Sequence, residues 1–249
     1  NYEINPNQNL GINLQASNSR DINTSSSTTV VTNPGQEFNN YIESFNDSEG
    51  TRNRVFTNLH YDAKLDTVGT KISADVDFTL MDSENSSLLD NSYWAGNNPE
   101  GGFSDRVLTI NDMFYTILTA KVDFIKPLKG GKTLETGVKG SWVESDNDLD
   151  LSRAVGEGPY EPDPNSNRFI YNENVLAAYA MLKGSFNEKF SYQAGLRGEY
   201  SDITGNSVTL EQVNKQNYFN LFPSLFLQQK VSDKYQIVYN ANRRITRPN

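Results

Sequence analysis

Asp146, Asp148 and Asp150 fall at the first, third and fifth places of a twelve-residue frame, with Ser152 seventh and Glu157 twelfth. That spacing can present oxygens to a hard cation such as calcium. The sixth place holds Leu151, where such a loop needs glycine for its sharp turn, and neither flank reads as a helix. A solvated acidic loop explains the same residues more simply, so these carboxylates are calcium candidates only in a weak sense. His60 is the sole histidine, and any Ser-His-Asp arrangement must use it. Its alternation partners are Asn58 and Asp62, with no nucleophile elbow nearby, which describes a polar strand face better than a catalytic centre. Asp75 and Asp77 share one strand face and have the types needed for acid/base work, but a wall rich in charges accounts for them more simply. Tyr93, Trp94 and Phe103 lie in a polar tract and have the flat faces needed to stack on a sugar or another external ligand. No enzyme, no cofactor and no resident metal is expected.

The elements that carry these residues are strands. In the stretch 174–203, Phe190, Tyr192, Ala194, Leu196, Gly198 and Tyr200 share one side, while Ser191, Gln193, Gly195, Arg197, Glu199 and Ser201 share the other. Side chains alternate across a strand, so one face is apolar and its reverse polar. The same two-faced pattern recurs at Val55, Leu59 and Tyr61, then Ile72, Val76 and Leu80, then Leu118, Val122 and Phe124, then Leu134, Val138 and Trp142. It returns at Leu221, Leu225 and Leu227, and at Ile237 and Tyr239; a weaker instance surrounds Leu10, Ile12 and Leu14. About nine strands are expected, most of them near a dozen residues, longer than the usual mode of about 5 to 6. A membrane-crossing strand tilted near 45° needs about 9 to 11.

The intervening tracts predict alternating connections. Long loops are expected at 18–50, 82–112, 145–172 and 202–216, and short turns at 66–70, 126–132, 187–189 and 231–234. Short turns at one end and long loops at the other are the habit of outer-membrane barrels. Phe186, Phe190, Tyr200, Phe219, Phe222, Tyr235 and Tyr239 stand near strand ends, where aromatic girdles occur. Pro223 lies inside a strand, and proline is confined to edges, strand starts and bulges, so a bulge is expected that lets Phe222 and Phe226 trade faces with Leu221 and Leu225.

Composition narrows the partners. Hydrophobic residues make up 36% of 249 and mean hydropathy is -0.64, so no run of about 20 apolar residues exists to form a membrane helix. A barrel needs only half-apolar strands. Net charge is -9, which argues against nucleic acid. Cysteine is absent, which removes disulfides and thiolate metal sites.

The run AGLRGEYS at 194–201, the Phe-Pro-Ser segment at 222–224 and the Arg-Arg-Ile-x-Arg-Pro run at 243–248 occur in this order. Together they resemble the barrel region of TonB-dependent outer-membrane receptors, in particular the outer-membrane β-barrel family widespread in Bacteroidota. The likeness is densest over 175–249 and extends back to Arg52. It implies an all-β antiparallel meander of long hairpins, one single barrel region over 1–249, located in the bacterial outer membrane with lipid on its apolar face. It further implies nutrient uptake by the parent protein with the TonB system and a surface lipoprotein as partners, and a small-molecule or glycan substrate. Neither plug nor TonB box is recognisable, and an odd strand count does not close an antiparallel barrel in the usual way, so a fragment of a larger barrel is expected. Two other readings stay open: a non-transporting adhesive surface barrel, and a secreted β-sandwich that binds glycans through loop aromatics.

Overall fold

The computed structural model describes residues 1–32, 35, 39–96 and 101–244. Parts of the GNNPEGG tract and of the Arg-Arg-Ile-x-Arg-Pro run lie outside them. Alternating residues of high strand propensity pair into one antiparallel sheet whose order follows the chain: β1 (Tyr2–Asn5), β2 (Gln8–Val31), β3 (Asn40–Lys64), β4 (Lys71–Ala95), β5 (Phe103–Leu128), β6 (Lys132–Val155), β8 (Asn167–Asn187), β9 (Phe190–Ser207), β10 (Gln212–Lys230) and β11 (Gln236–Asn242). A two-residue β7 (Glu161–Pro162) pairs with β6 off this path. Setting β1 and β7 aside, the strands agree with the expected meander. β1 at one edge and β11 at the other do not pair with each other, so the sheet is open.

Among the described residues each strand touches only its neighbours, so no second layer covers the sheet. Burial nevertheless divides its faces. Ser83, Asn91, Asp105, Ser145, Glu199, Ser201 and Ser207 are buried polar residues, and the ladder registers place all of them on one face. Val76, Leu118, Val138, Trp142, Leu176, Leu196, Tyr200 and Phe219 are exposed, and the registers place them all on the other. A single sheet encloses one face's side chains by curving toward it, so the polar face is inner and the apolar face outer. Soluble folds arrange these the other way round.

The outer face is apolar over a limited height. Along β4 it reads Ile72, Ala74, Val76, Phe78 and Leu80, then turns to Asp82, Glu84 and Ser86. On β6 it runs from Leu134 to Trp142 and then meets Glu144, Asp146 and Asp148; on β10 it spans Leu227 back to Phe219 and then Asn217 and Lys215. Each stretch has the about 9 to 11 residues that a tilted strand needs to cross a bilayer. Trp142, Tyr200 and Phe219 mark its upper border, and Phe186, Tyr192 and Phe190 its lower one, with Phe186 and Tyr192 rings 4.6 Å apart. Phe222 is a correction to the expected girdle. It lies opposite Arg197 on the inner face.

Two further expectations are overturned. The tracts 18–50, 82–112, 145–172 and 202–216 are mostly strand: the ladder between β2 and β3 continues from Gln8↔Ala63 up to Val31↔Asn40, and β4 pairs with β5 up to Tyr93↔Phe103. Strands of 18 to 26 residues, β2 to β6 and β8 to β10, therefore rise above the apolar band. The asymmetry between the ends survives as strand extension rather than as loop. The second concerns Pro223, which sits opposite Leu196 with no shift of register, so there is no bulge. Its carbonyl accepts from the Arg243 amide at 3.2 Å, on the β11 side, and its ring nitrogen faces the same way. β11 pairs with β10 only as far as Asn242 opposite Ser224, so the missing donor falls at the end of a ladder. Phe222 and Phe226 take the inner face by simple alternation.

At the lower end, Asp66 organises the turn between β3 and β4. One of its carboxylate oxygens accepts from the amides of Val68, Gly69 and Thr70 at 2.8–2.9 Å, and the other from the Thr70 hydroxyl at 2.5 Å. Gly69 takes φ of 105°, which only glycine adopts without strain. The Thr70 hydroxyl, then the Thr70 amide and the other amides, hold the Asp66 carboxyl below its ordinary range. A depressed carboxyl stabilises the fold above its unfolded pKa and loses that contribution as pH falls through the folded one. The protection of the Val68, Gly69 and Thr70 amides, measured against their intrinsic exchange rates, is expected to fall on acidification below about pH 4. In Asp66→Ala, which removes the acceptor, protection of these amides is expected to be low at every pH.

Candidate functional site at the inner wall and the outer mouth

Strand alternation delivers a charged row to the inner face at the height of the apolar band. His60, Asp75, Lys121 and Lys139 are successive cross-strand partners. His60 Nδ1 lies 2.6 Å from Asp75 Oδ1, and its Nε2 contacts Asp62. Lys121 Nζ reaches Asp123 at 2.7 Å and Asp75 at 3.9 Å. Asn58 donates to Asp77 at 2.8 Å, Lys183 meets Glu135 at 2.6 Å, and Arg197 meets Glu199 at 2.9 Å. His60, Asp75 and Asp77, weighed above for catalysis, are thus held in cross-strand pairs of a polar wall. Gly137 permits one close approach: a Cβ there would meet the Tyr179 ring and the Asp123 carboxylate at 2.5 and 2.6 Å, so Tyr179 lies flat across β6.

A second group sits at the upper ends of β3, β4 and β5. Tyr93 and Phe103, cross-strand partners on the inner face, stack with centroids 4.5 Å apart and planes at 11°. Trp94 stacks on Tyr41 at 5.6 Å on the outer face. The three aromatics expected in a loop therefore occupy strand ends. With Tyr41, Ile42 and Gly101 they line a cavity of about 500 Å³. Below them Asp105, 6% exposed, accepts from Asn91 Nδ2 at 2.9 Å, from Arg153 Nη1 at 3.1 Å and from the Tyr93 hydroxyl at 3.3 Å. Ser44 donates to Asn91 Oδ1 at 2.7 Å, and Arg153 also faces Asp163 at 3.7 Å. Burial, and then the Asp105 charge, push the Tyr93 phenol up from its ordinary pKa. Sequence reasoning missed this cluster because Asn91, Asp105 and Arg153 are far apart in the chain and no local spacing connects them.

Asp146, Asp148 and Asp150 project from the outer face of β6 as alternate strand residues, and Glu157 lies beyond its end. Asp146 is engaged by Arg168 at 3.0 and 2.6 Å, which holds its carboxyl below the usual range. Among the described residues no group of acids and histidines is placed to hold a metal ion.

A meander with a polar, ion-paired inner face and an apolar outer band bordered by aromatics defines the wall of an outer-membrane β-barrel. The chain belongs to the outer membrane protein beta-barrel family, whose sequence model matches residues 63–249. Its place is the bacterial outer membrane. No curated protein matches it in sequence. Solved structures similar to it include the ferric-catecholate import receptor Fiu from E. coli K12 in its open form (10% identity, TM-score 0.48, 94% of this chain and 54% of that one). The ferric citrate transporter FecA in its unliganded form is another (11%, 0.44, 94% and 44%), as is the ferric yersiniabactin uptake receptor FyuA from Yersinia pestis (10%, 0.39, 94% and 46%). The chain spans about half the length of these receptors.

Proposed function

We propose that this chain forms part of the wall of a TonB-dependent-type receptor that takes up a nutrient across the outer membrane. The observation that carries the reading is the pairing of two surfaces on one wall. A charged, ion-paired inner face runs the height of the apolar band, and above it lies an aromatic cavity with the buried Asp105 carboxylate beneath it. The first suits a lumen. The second suits capture of an external small molecule or glycan, with Tyr93, Trp94 and Phe103 as stacking surfaces. The open edges at β1 and β11 support a larger barrel in which further strands complete the ring. Lipid on the outer band, the TonB system below and a surface lipoprotein above are the partners this reading assigns.

The test uses the full-length protein. Purified in detergent, it is expected to retain the periplasmic domain of TonB on an affinity column, and its gene is expected to encode a plug domain. A full-length protein with neither a plug nor TonB binding overturns uptake and leaves an adhesive or structural surface barrel.

A further inference from the structure

Lys139 stands on the inner wall at mid-height of the apolar band, directly opposite Lys121 in the β5–β6 ladder. Like charges facing each other across a ladder destabilise it unless something neutralises them. Lys121 is neutralised, by Asp123 at 2.7 Å and Asp75 at 3.9 Å. Lys139 is not: its partner on the other side is Ala177, and no described carboxylate comes within ion-pair distance. The lack is notable in a chain with 31 acidic and 22 basic residues, whose neighbouring inner-face cations Lys121, Lys183 and Arg197 each have a carboxylate.

The space beside Lys139 is shaped. A cavity of about 310 Å³ opens there, with Lys121, Lys139 and Arg197 around it and Tyr179, Met181 and Phe222 as its apolar walls. Its volume is at the small end of ligand pockets, about 300 to 1,000 Å³. Gly137 lets Tyr179 lie down against β6, and Phe222 points inward because the register through Pro223 is unbroken. One ammonium without a carboxylate partner, Lys139, beside two aromatic rings at one cavity matches a carboxylate joined to a flat apolar body.

We propose that Lys139 is the anchor of an anion site on the barrel's inner wall, taking a carboxylate whose apolar part packs against Tyr179 and Phe222. That carboxylate comes from a free organic anion or from an acidic side chain of a segment of the same protein inside the lumen. The site rests on the inner face lining a lumen and not on uptake, so failure of TonB binding leaves it standing.

The midpoint of heat-modifiable gel migration of the full-length protein in detergent, with and without benzoate, separates the outcomes. If the source is a free anion, benzoate raises the wild-type midpoint by a few degrees. Lys139→Gln loses that rise, while Lys139→Arg and Lys183→Gln keep it. If the source is the protein itself, benzoate has no effect, Lys139→Gln lowers the midpoint and Lys139→Arg restores it. Without any anion, Lys139→Gln only relieves repulsion from Lys121, and the midpoint stays or rises. That result, or a benzoate effect equal in wild type and Lys139→Gln, overturns the site.

Discussion

Replacing Leu196 by arginine is expected to keep the protein out of the membrane. Leu196 is 51% exposed on the outer face, between Ala180 of β8 and Pro223 of β10, inside the apolar band. No other side chain of the sheet offers a guanidinium there a counter-charge, because its cross-strand neighbours are an alanine and a proline. A charge facing lipid near mid-bilayer costs about 2 to 4 kcal/mol in a barrel. Gln193 is the matched control. It lies three residues away on the inner face, opposite Lys183 and Phe226, so Gln193→Arg directs its charge into the polar lumen. Outer-membrane fractionation and heat-modifiable migration of the full-length variants read the difference. Leu196→Arg should lose most of the folded band and Gln193→Arg little of it. Equal behaviour of the two contradicts the assignment of faces.

That assignment is legible in the sequence, and the reason is physical. Inside the band, lipid demands apolar residues on one face and the lumen tolerates charge on the other, so the period of two is written in side-chain type at Tyr192, Leu196 and Tyr200 against Gln193, Arg197 and Glu199. Above the band, both faces meet water. Stretches such as SSSTT at 25–29 or ENSS at 84–87 then show no alternation, although Ser27 pairs with Ser44 and Ser86 with Ile110 in unbroken ladders. Periodicity reports solvent contrast rather than backbone pairing, so the extensions read as loops. Pro223 misled for a related reason: its cost depends on which neighbour its nitrogen faces, and the sequence does not reveal that β11's pairing stops beside it.

The mouth shows the same limit, because its most consequential residue carries no local signal. Asp105→Ala is expected to loosen the upper ends of β4, β5 and β6 while leaving insertion intact. The change removes the shared acceptor of Asn91, Tyr93 and Arg153, and Asn91 is itself buried. A buried donor left without a partner costs about 1 to 3 kcal/mol. Arg153 is half-exposed and retains Asp163, so its share of that cost is small; the loss falls mainly on Asn91, and through Asn91 on the bond from Ser44. Asp105→Asn can keep the oxygen that accepts from Asn91 and Tyr93 and gives up the charge and the oxygen that accepts from Arg153, so it should lose less. Asp21→Ala, an exposed carboxylate on β2, should lose nothing measurable. Hydrogen exchange of the full-length protein distinguishes these. In Asp105→Ala the amides of 88–95 and 103–110 should exchange several-fold to about a hundredfold faster, while those of 72–80 and 114–124 stay protected. If protection at 88–95 is unchanged, the Asp105 cluster does not hold the mouth, and the Tyr93–Phe103 stack above it stands by its own packing.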